Sequence, residues 1–428
     1  MVYVLAKDGS PLMPCSNVIA RLLLKQQRAK VKRREPFTIK LTYETTHYTQ
    51  DLTLGVDTGS GTFGTAVTSD DGKILYTSEV KVRNDIKTKM TRRAKYRRSR
   101  RTRKTRYRPS RWLNRANSIK TGRFSPTMRS KLHSHIKEIE YIKSILPIKH
   151  MVFETGTFDT HLMQDPRLYS EKVKHWGYQK GPNYGFENTR AMVLNRDHYT
   201  CQACKGKHKD SHLEVHHIVF RSQGGSDEAD NLITLCHTCH KALHAGKLKL
   251  KNRGKRKKAL SFATQMNSIR KQLFQHYPEA IETFGYITKA NRYQLGVGKD
   301  HYLDACVIAT QGKPFTIHSR LYKKTCISDG DFQKTKGIRS EKPINTGKIC
   351  RYRKFDKVRY YGKDYFIKGR MTSGYAVLMD IDGKKIDFSG QTKVPKTPKL
   401  SHCIRKQART TWMITNEAVT PNMQCACI

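Results

Sequence analysis

The sequence predicts an α/β protein. Its mixed sheet is interrupted first by an arginine-rich helix and later by an inserted zinc-held ββα module, and a small C-terminal β-barrel-like domain follows. Three observations carry that expectation. Short apolar strands end in acids, at Asp57 and Glu154, on either side of a run of arginines. Two Cys-x-x-Cys pairs, Cys201/Cys204 and Cys236/Cys239, have the spacing that closes a tetrahedral structural zinc site. Beyond Ile317 the chain changes to short, evenly spaced strand segments separated by turns such as Tyr361-Gly362-Lys363-Asp364 and Asp382-Gly383.

The 428 residues are enough for two to four domains. Lys plus Arg number 83 and Asp plus Glu 35, so the formal charge is +48. Such an excess calls for a polyanion, and nucleic acid is the expected partner, held more weakly as salt rises. No stretch of about 20 apolar residues suggests a membrane span. The start, MVYVLAKDGS, lacks the apolar core of a secretory signal. Of eleven cysteines, four form the zinc pattern and the rest are scattered, which fits a reducing, cytoplasmic compartment.

Taken in order, the N-terminal residues read as a strand from Val2 to Leu5, then Pro11-Leu12-Met13-Pro14. A helix follows from about Ser16, its N-cap, to Gln27, with Val18, Leu22 and Leu23 on one side, and then the alternating strand Phe37 to Tyr43. Leu52 to Gly59 is an apolar strand that delivers Asp57 into a glycine turn; Thr62–Val67 and Ile74–Val80 complete a meander around the hairpin signal Asp70-Asp71-Gly72. An acid at that position is how ribonuclease-H-like nucleases place a first metal ligand, and an Asx-type turn is the alternative reading.

The stretch Lys89 to Arg115 holds eleven arginines and no acid. Arg92, Arg93, Arg97, Arg98, Arg100, Arg101, Arg103, Arg106 and Arg108 would put guanidinium on every face of a helix, a surface that repels itself unless an anion covers it. The interleaved Tyr96, Tyr107 and Trp112 offer faces for bases. A disordered basic tail is the competing interpretation. A second helix is expected from Ser125-Pro126 through Leu146, then a strand, His150 to Phe153, ending at Glu154. Much later Lys299 to Thr310 reads as a helix with His301 and Asp304 on one face. Asp57, Glu154 and Asp304 can then hold two magnesium ions that clamp a phosphodiester, with His301 taking a proton from the attacking water.

The zinc scaffold would gather His216, His217, Asn231 and His240: one neutral imidazole deprotonates water while other nitrogens hold a magnesium ion. Surplus histidines acting as extra ligands or DNA contacts are the alternative. Gly246 to Lys258 is a basic connector, Phe262 to Tyr277 a helix, and Gly285 to Leu295 is expected as the strand leading into His301. In the C-terminal part, strands are expected at Lys348–Tyr352, Lys357–Tyr361, Tyr365–Gly369, Gly374–Ile381 and Lys385–Phe388, with a frayed tail from Thr415.

The PLMP start, the Asp57 strand, the arginine helix, Glu154, the inserted Cys/His module and His301-x-x-Asp304 together resemble, in that order, the IscB family. These are transposon-encoded, RNA-guided DNA endonucleases of prokaryotes related to the CRISPR type II effector nuclease. The resemblance implies an N-terminal PLMP module at 1–50 and a RuvC core in segments 51–85, 119–160 and 281–325. It implies a bridge helix at 86–118, linkers at 161–185 and 247–280, an HNH nuclease at 186–246, and a β-rich domain at 326–428 that meets a target-adjacent motif. The RuvC site would comprise Asp57, Glu154, His301 and Asp304, cutting the displaced strand. In the HNH site His217 would be the general base, with His216 and His240 binding magnesium, Asn231 orienting the base or bracing the loop, and the guide-paired strand being cut. His216 departs from the Asp of the CRISPR effectors, and His244 is a substitute ligand. The implied partners are an omega-type guide RNA and double-stranded DNA, bound by a monomer within a ribonucleoprotein. Two other classes compete: a protein-only HNH homing or restriction endonuclease, and a non-enzymatic RNA-binding assembly factor.

Overall fold

The computed structural model describes residues 1–103, 124–158, 163, 170, 183–208, 210–250, 261–328, 351–390 and 394–419. They form two compact units, 1–156 with 265–428, and 157–264.

In the first unit, strands β1 (Val2–Leu5), β2 (Pro11–Cys15), β3 (Ala29–Arg34) and β4 (Phe37–Leu41) make a small sheet of order β2-β1-β4-β3, with β1 and β4 parallel. Helix α1 (Asn17–Lys25) starts where the Ser16 side chain accepts from the Ile19 amide at 3.3 Å. Its packed stripe is Ala20, Leu23 and Leu24. Val18 and Leu22, expected inward, are exposed with Ile19, because spacing of three and four from Ala20 selects the neighbouring stripe.

The main sheet is built on the meander β5 (Leu52–Asp57), β6 (Thr62–Ser69) and β7 (Lys73–Lys81). Helix α2 (Ile86–Thr102) carries the arginines; Ile86 and Met90 are half-buried, and every side chain from Thr91 to Arg100 is exposed. The later part of the arginine stretch, with Arg106 and Arg108, lies outside the described residues. Helix α3 (Pro126–Lys143) is capped by Ser125 as expected and leads to β8 (Ile148–Thr155), which lies parallel beside β5.

In the second unit, helix α4 (Thr189–Arg196) packs beside the antiparallel pair β9 (Leu213–His217) and β10 (Leu232–Cys236), followed by α5 (His237–His244).

Returning to the first unit, α6 (Ser261–His276) is the helix expected over Phe262–Tyr277 and sends Met266, Ile269 and Leu273 into the core with Ile139, Ile142 and Phe153, within the stretch 247–280 that the resemblance implied as a linker. Next come β11 (Ile281–Phe284) and α7 (Gly285–Gln294). The strand expected over Gly285–Leu295 is therefore a helix. The extended segment ends at Phe284, and Thr288 and Asn291 then recur inward at helical spacing. Helix α8 (His301–Ala309) covers the opposite sheet face, followed by β12 (Thr316–Ile317) and β13 (Leu321–Cys326).

The C-terminal strands β14 (Lys357–Tyr360), β15 (Lys363–Arg370), β16 (Ala376–Met379) and β17 (Ile404–Gln407) form an antiparallel sheet of order β16-β15-β14-β17 around Val358, Tyr360, Ile367 and Leu378. No pairing among the described residues closes it into the expected barrel. Lys385–Phe388 contributes a single bridge, Met379 to Lys385. Strand β18 (Trp412–Glu417) pairs with β13 and buries Met413 and Ile414, so Thr415–Glu417, expected to begin a frayed tail, lie in the main sheet; residues 420–428 of that tail lie outside the described residues. That sheet has the order β11-β8-β5-β6-β7-β13-β18, with β12 beside β7.

Glycine decides how closely α8 approaches the sheet. A Cβ on Gly64 would lie 1.9 Å from the His301 carbonyl oxygen, and one on Gly55 would lie 2.5 Å from backbone atoms of Ala305 and Ala309. Two bare backbone positions on β5 and β6 thus let α8 bring its N-terminal turn over the end of β5. On the other face, Lys324 and Glu138 form a fully buried ion pair: both carboxylate oxygens lie 2.8 Å from Lys324 Nζ, and the Tyr76 hydroxyl shares the site. It ties α3 to β7 and β13.

Candidate active sites

The first site lies where β5 and β8 end side by side. Asp57 and Glu154 are register partners on these parallel strands, and the Thr58 hydroxyl donates to the Glu154 carbonyl at 2.6 Å, fixing the strand ends together. Helix α8 adds His301, whose Nδ1 lies 2.6 Å from Asp57 Oδ2, and Asp304, whose Oδ1 lies 3.2 Å from Arg292 Nε of α7. Asp57 is buried, and burial raises its pKa against the pull of His301. Burial also raises that of Asp304, with Asp57 adding to the effect. Glu154 is pushed up to about 7 by burial and by Asp57 and Asp304. His301 is raised by its hydrogen bond to Asp57.

Asp57 thus acts on both of the other acids, and Asp304 acts on Glu154 as well. Glu154 Oε2 is buried without a hydrogen-bond partner among the described residues, as expected of a carboxylate that takes a hard cation; Asp304 Oδ1 has the Arg292 guanidinium beside it. The ligating atoms of the trio do not all lie within 4.8 Å of one another. The approach of α7 also depends on a glycine, since a Cβ on Gly285 would stand 3.0 Å from Glu154 Oε1. Sequence reasoning named the three acids and His301 but missed Arg292, which sits on the helix it read as a strand.

The second site is built on the four cysteines. Cys201, Cys204, Cys236 and Cys239 place their sulfurs within 4.8 Å of one another, with Cys204 and Cys236 at 3.8 Å. All four thiols are free, and their donor set fits structural zinc. Cys236 ends β10 and Cys239 lies in the first turn of α5, so a bound zinc would fix the helix to the hairpin.

Register then orders the histidines. His216 faces Ile233 and His217 faces Leu232 across the hairpin, and alternation sends the two imidazoles to opposite faces. On one face, His216 Nδ1 lies 3.1 Å from His240 Nε2, which lies 3.2 Å from His244 Nε2. Glu214 Oε2 lies 2.8 Å from His240 Nδ1. A carboxylate only accepts, so His240 carries its proton on Nδ1 and turns the Nε2 lone pair toward the other two rings. The three nitrogens form a cluster fit for a cation. His216 is almost buried, and its pKa is lowered to about 4 by burial and by His240 and His244. Three imidazoles suit transition ions better than magnesium.

His217 lies apart from that cluster. Its Nε2 is 2.9 Å from Asp227 Oδ1, which also accepts from Arg221 Nε at 2.7 Å. Those two hydrogen bonds hold the Asp227 pKa below its usual value. The ionised acid fixes the His217 proton on Nε2 and leaves Nδ1 as the basic nitrogen. Asn231 is fully buried and its amide is committed to the loop between the strands. Nδ2 donates to the Val219 and Ser226 carbonyls at 3.0 and 2.8 Å, and Oδ1 accepts from the Val219 amide at 3.0 Å. A Cβ on Gly225 would meet the Val219 carbonyl oxygen at 1.8 Å, so the loop that carries Asp227 closes over Asn231 only with glycine there.

Glu214 and Asp227 were missed from sequence. Glu214 had a signal, its position two residues before His216 on the same strand face; Asp227 had none, being ten residues from His217 across a glycine loop. His244, expected as a substitute ligand, stands four residues from His240 on α5 and joins both His216 and His240 in the cluster. Of the arginines, Arg92, Arg93, Arg97, Arg98, Arg100 and Arg103 are exposed and Arg101 lies in the helix.

Comparison with known proteins bears on the second of these sites. Residues 201–246 match the HNH endonuclease family. The chain therefore carries an HNH endonuclease domain. Residues 2–181 match the family described as RRXRR protein, and the chain holds Arg97-Arg98-Ser99-Arg100-Arg101 within that range. The chain is 36% identical over 72 residues to anaredoxin of Nostoc sp., spanning 91% of that protein and 17% of its own length. It is 37% identical over 65 residues to the type IV methyl-directed restriction enzyme EcoKMcrA of Escherichia coli, spanning 23% of that enzyme and 14% of its own length. With the four-cysteine cluster, these matches support a DNA endonuclease with a zinc-bearing HNH domain. No described helix is long and apolar enough to cross a membrane.

Proposed function

We propose that this HNH endonuclease is RNA-guided and of the IscB type, with a second, RuvC-like centre at Asp57, Glu154, His301 and Asp304. The observation that carries the reading is the acidic cluster: two strand-end acids in register, a third from α8, and a buried Glu154 oxygen without a hydrogen-bond partner among the described residues. The exposed arginines of α2 add the surface that a guide RNA requires.

At the HNH centre, His217, oriented by Asp227, takes the proton from water. His216, His240 and His244 would hold a divalent cation, which supplies Lewis acidity when bound, and Asn231 keeps the loop in place as a positioning residue. At the acidic centre, Asp57, Glu154 and Asp304 hold magnesium and His301 moves the proton. The four cysteines hold zinc, and the C-terminal β-rich region contacts duplex DNA beside the target.

The likeness to a restriction enzyme favours a second reading, protein-only cleavage. Plasmid cleavage by purified protein separates the two. Double-strand cutting only when a matching RNA is added is the expected result; cutting of the same sites without RNA would leave the protein-only reading standing.

A further inference from the structure

We infer that His212, Glu214 and His237 form a further metal site, distinct from the zinc cysteines and from the His216/His240/His244 cluster. Their ligating atoms all lie within 4.8 Å of one another. Glu214 Oε1 is 2.8 Å from His237 Nδ1 and 3.6 Å from His212 Nε2. Ligands sharing one ion at about 2.1 Å stand roughly 3.0 to 3.4 Å from each other in octahedral or tetrahedral arrangement, and these separations bracket that range.

The positions are held by backbone as well as by side chains. The His237 amide donates to the His212 carbonyl at 3.0 Å, and Asp210 accepts from the Thr238 amide and hydroxyl, both at 3.0 Å. The segment before β9 is thereby fixed to the start of α5. The three side chains are partly exposed, so a hydrated ion has access and water can complete its shell.

Two imidazoles and one carboxylate select zinc, nickel or cobalt over magnesium or calcium. Glu214 also links this site to the nuclease cluster, because its other oxygen, Oε2, holds His240. An ion on Oε1 withdraws charge from Oε2 and makes His240 a poorer ligand. On the HNH reading above, on which this step rests, filling the site slows cleavage.

The test uses the full chain, carrying zinc in its four cysteines and titrated with nickel. Nickel bound per chain is counted by elemental analysis after desalting. His212→Ala removes the most exposed ligand and should bind one equivalent fewer than the wild type, with the zinc retained; His237→Asn should lose the same equivalent. In cleavage assays the wild-type rate should rise with nickel and then fall several-fold, while His212→Ala should rise and stay high. Equal nickel in wild type and both variants would overturn the site. An extra equivalent with no fall in rate would overturn the coupling through Glu214. An extra equivalent in a protein that never cuts DNA would uphold the site and overturn the nuclease reading.

Discussion

Gly64→Ala tests how the acidic centre is assembled. The new methyl would sit 1.9 Å from the His301 carbonyl oxygen, 2.3 Å from its carbonyl carbon and 2.9 Å from the Tyr302 amide nitrogen. All three are backbone atoms of the first turn of α8, so no side chain can swing away and the helix end must retreat by roughly 1 Å or more. Overpacking of this kind costs about 1–3 kcal/mol, which outweighs the roughly 0.4–1 kcal/mol that alanine returns by restricting the unfolded chain. A fold that is destabilised yet intact is the expected result. Retreat of α8 stretches the 2.6 Å contact between His301 and Asp57 and carries Asp304 away with it. Misplacement of catalytic groups by about 1 Å costs on the order of 100-fold in rate.

The assay is a duplex target labelled on each strand in turn, with urea unfolding run in parallel. Cutting by the acidic centre should drop by about that factor while HNH cutting continues, so that nicked product accumulates. Gly61→Ala is the control, since a Cβ there meets nothing within 4 Å. Wild-type stability and wild-type cutting of both strands by Gly64→Ala would refute the argument that α8 is seated by this glycine.

Three further outcomes are expected. Cys236→Ser should lose zinc by metal analysis and HNH cleavage with it; retained zinc would remove Cys236 from the ligand set. Lys324→Met should destabilise the protein by about 3–5 kcal/mol by leaving Glu138 buried and unpaired, and adding Glu138→Leu should recover most of that loss. An unchanged urea midpoint for the single variant would show that the pair contributes nothing. His135 is fully buried, and burial lowers its pKa from 6.5 to about 4. The unfolded chain therefore binds a proton that the fold refuses, and the stability present above pH 6.5 is lost as pH falls toward 4, by about 3 kcal/mol. His135→Phe should flatten that part of the stability–pH curve, and an unaltered slope would count against the assignment.

Much of this architecture can be read before any coordinate is seen, wherever a residue's role depends on its immediate neighbours. Asp57 and Glu154 are legible because each ends a short apolar run, and His301 and Asp304 because a spacing of three on an apolar helix puts them on one face. The cysteines are legible from their paired spacing. Contacts that depend on distant parts of the chain leave no local trace. Strand β18 pairs with β13, some 90 residues earlier, and the polar residues near Thr415 look like an ordinary tail until Met413 and Ile414 are seen buried. Helix α7 defeats a propensity argument because Tyr286, Ile287 and Tyr293 favour strands, while Thr288 and Asn291 decide the matter through packing. On α1, two adjacent apolar stripes were available, and only the docking surface chooses Ala20 with Leu23 and Leu24.

The central claim is that one polypeptide carries two separate cutting centres, and strand-resolved cleavage by single variants tests it most directly. With the matching RNA and divalent cation present, Asp57→Ala should cut only the guide-paired strand and His217→Ala only the displaced strand, each leaving a nick. Loss of both cuts from either single substitution, or no change from Asp57→Ala, would contradict the account.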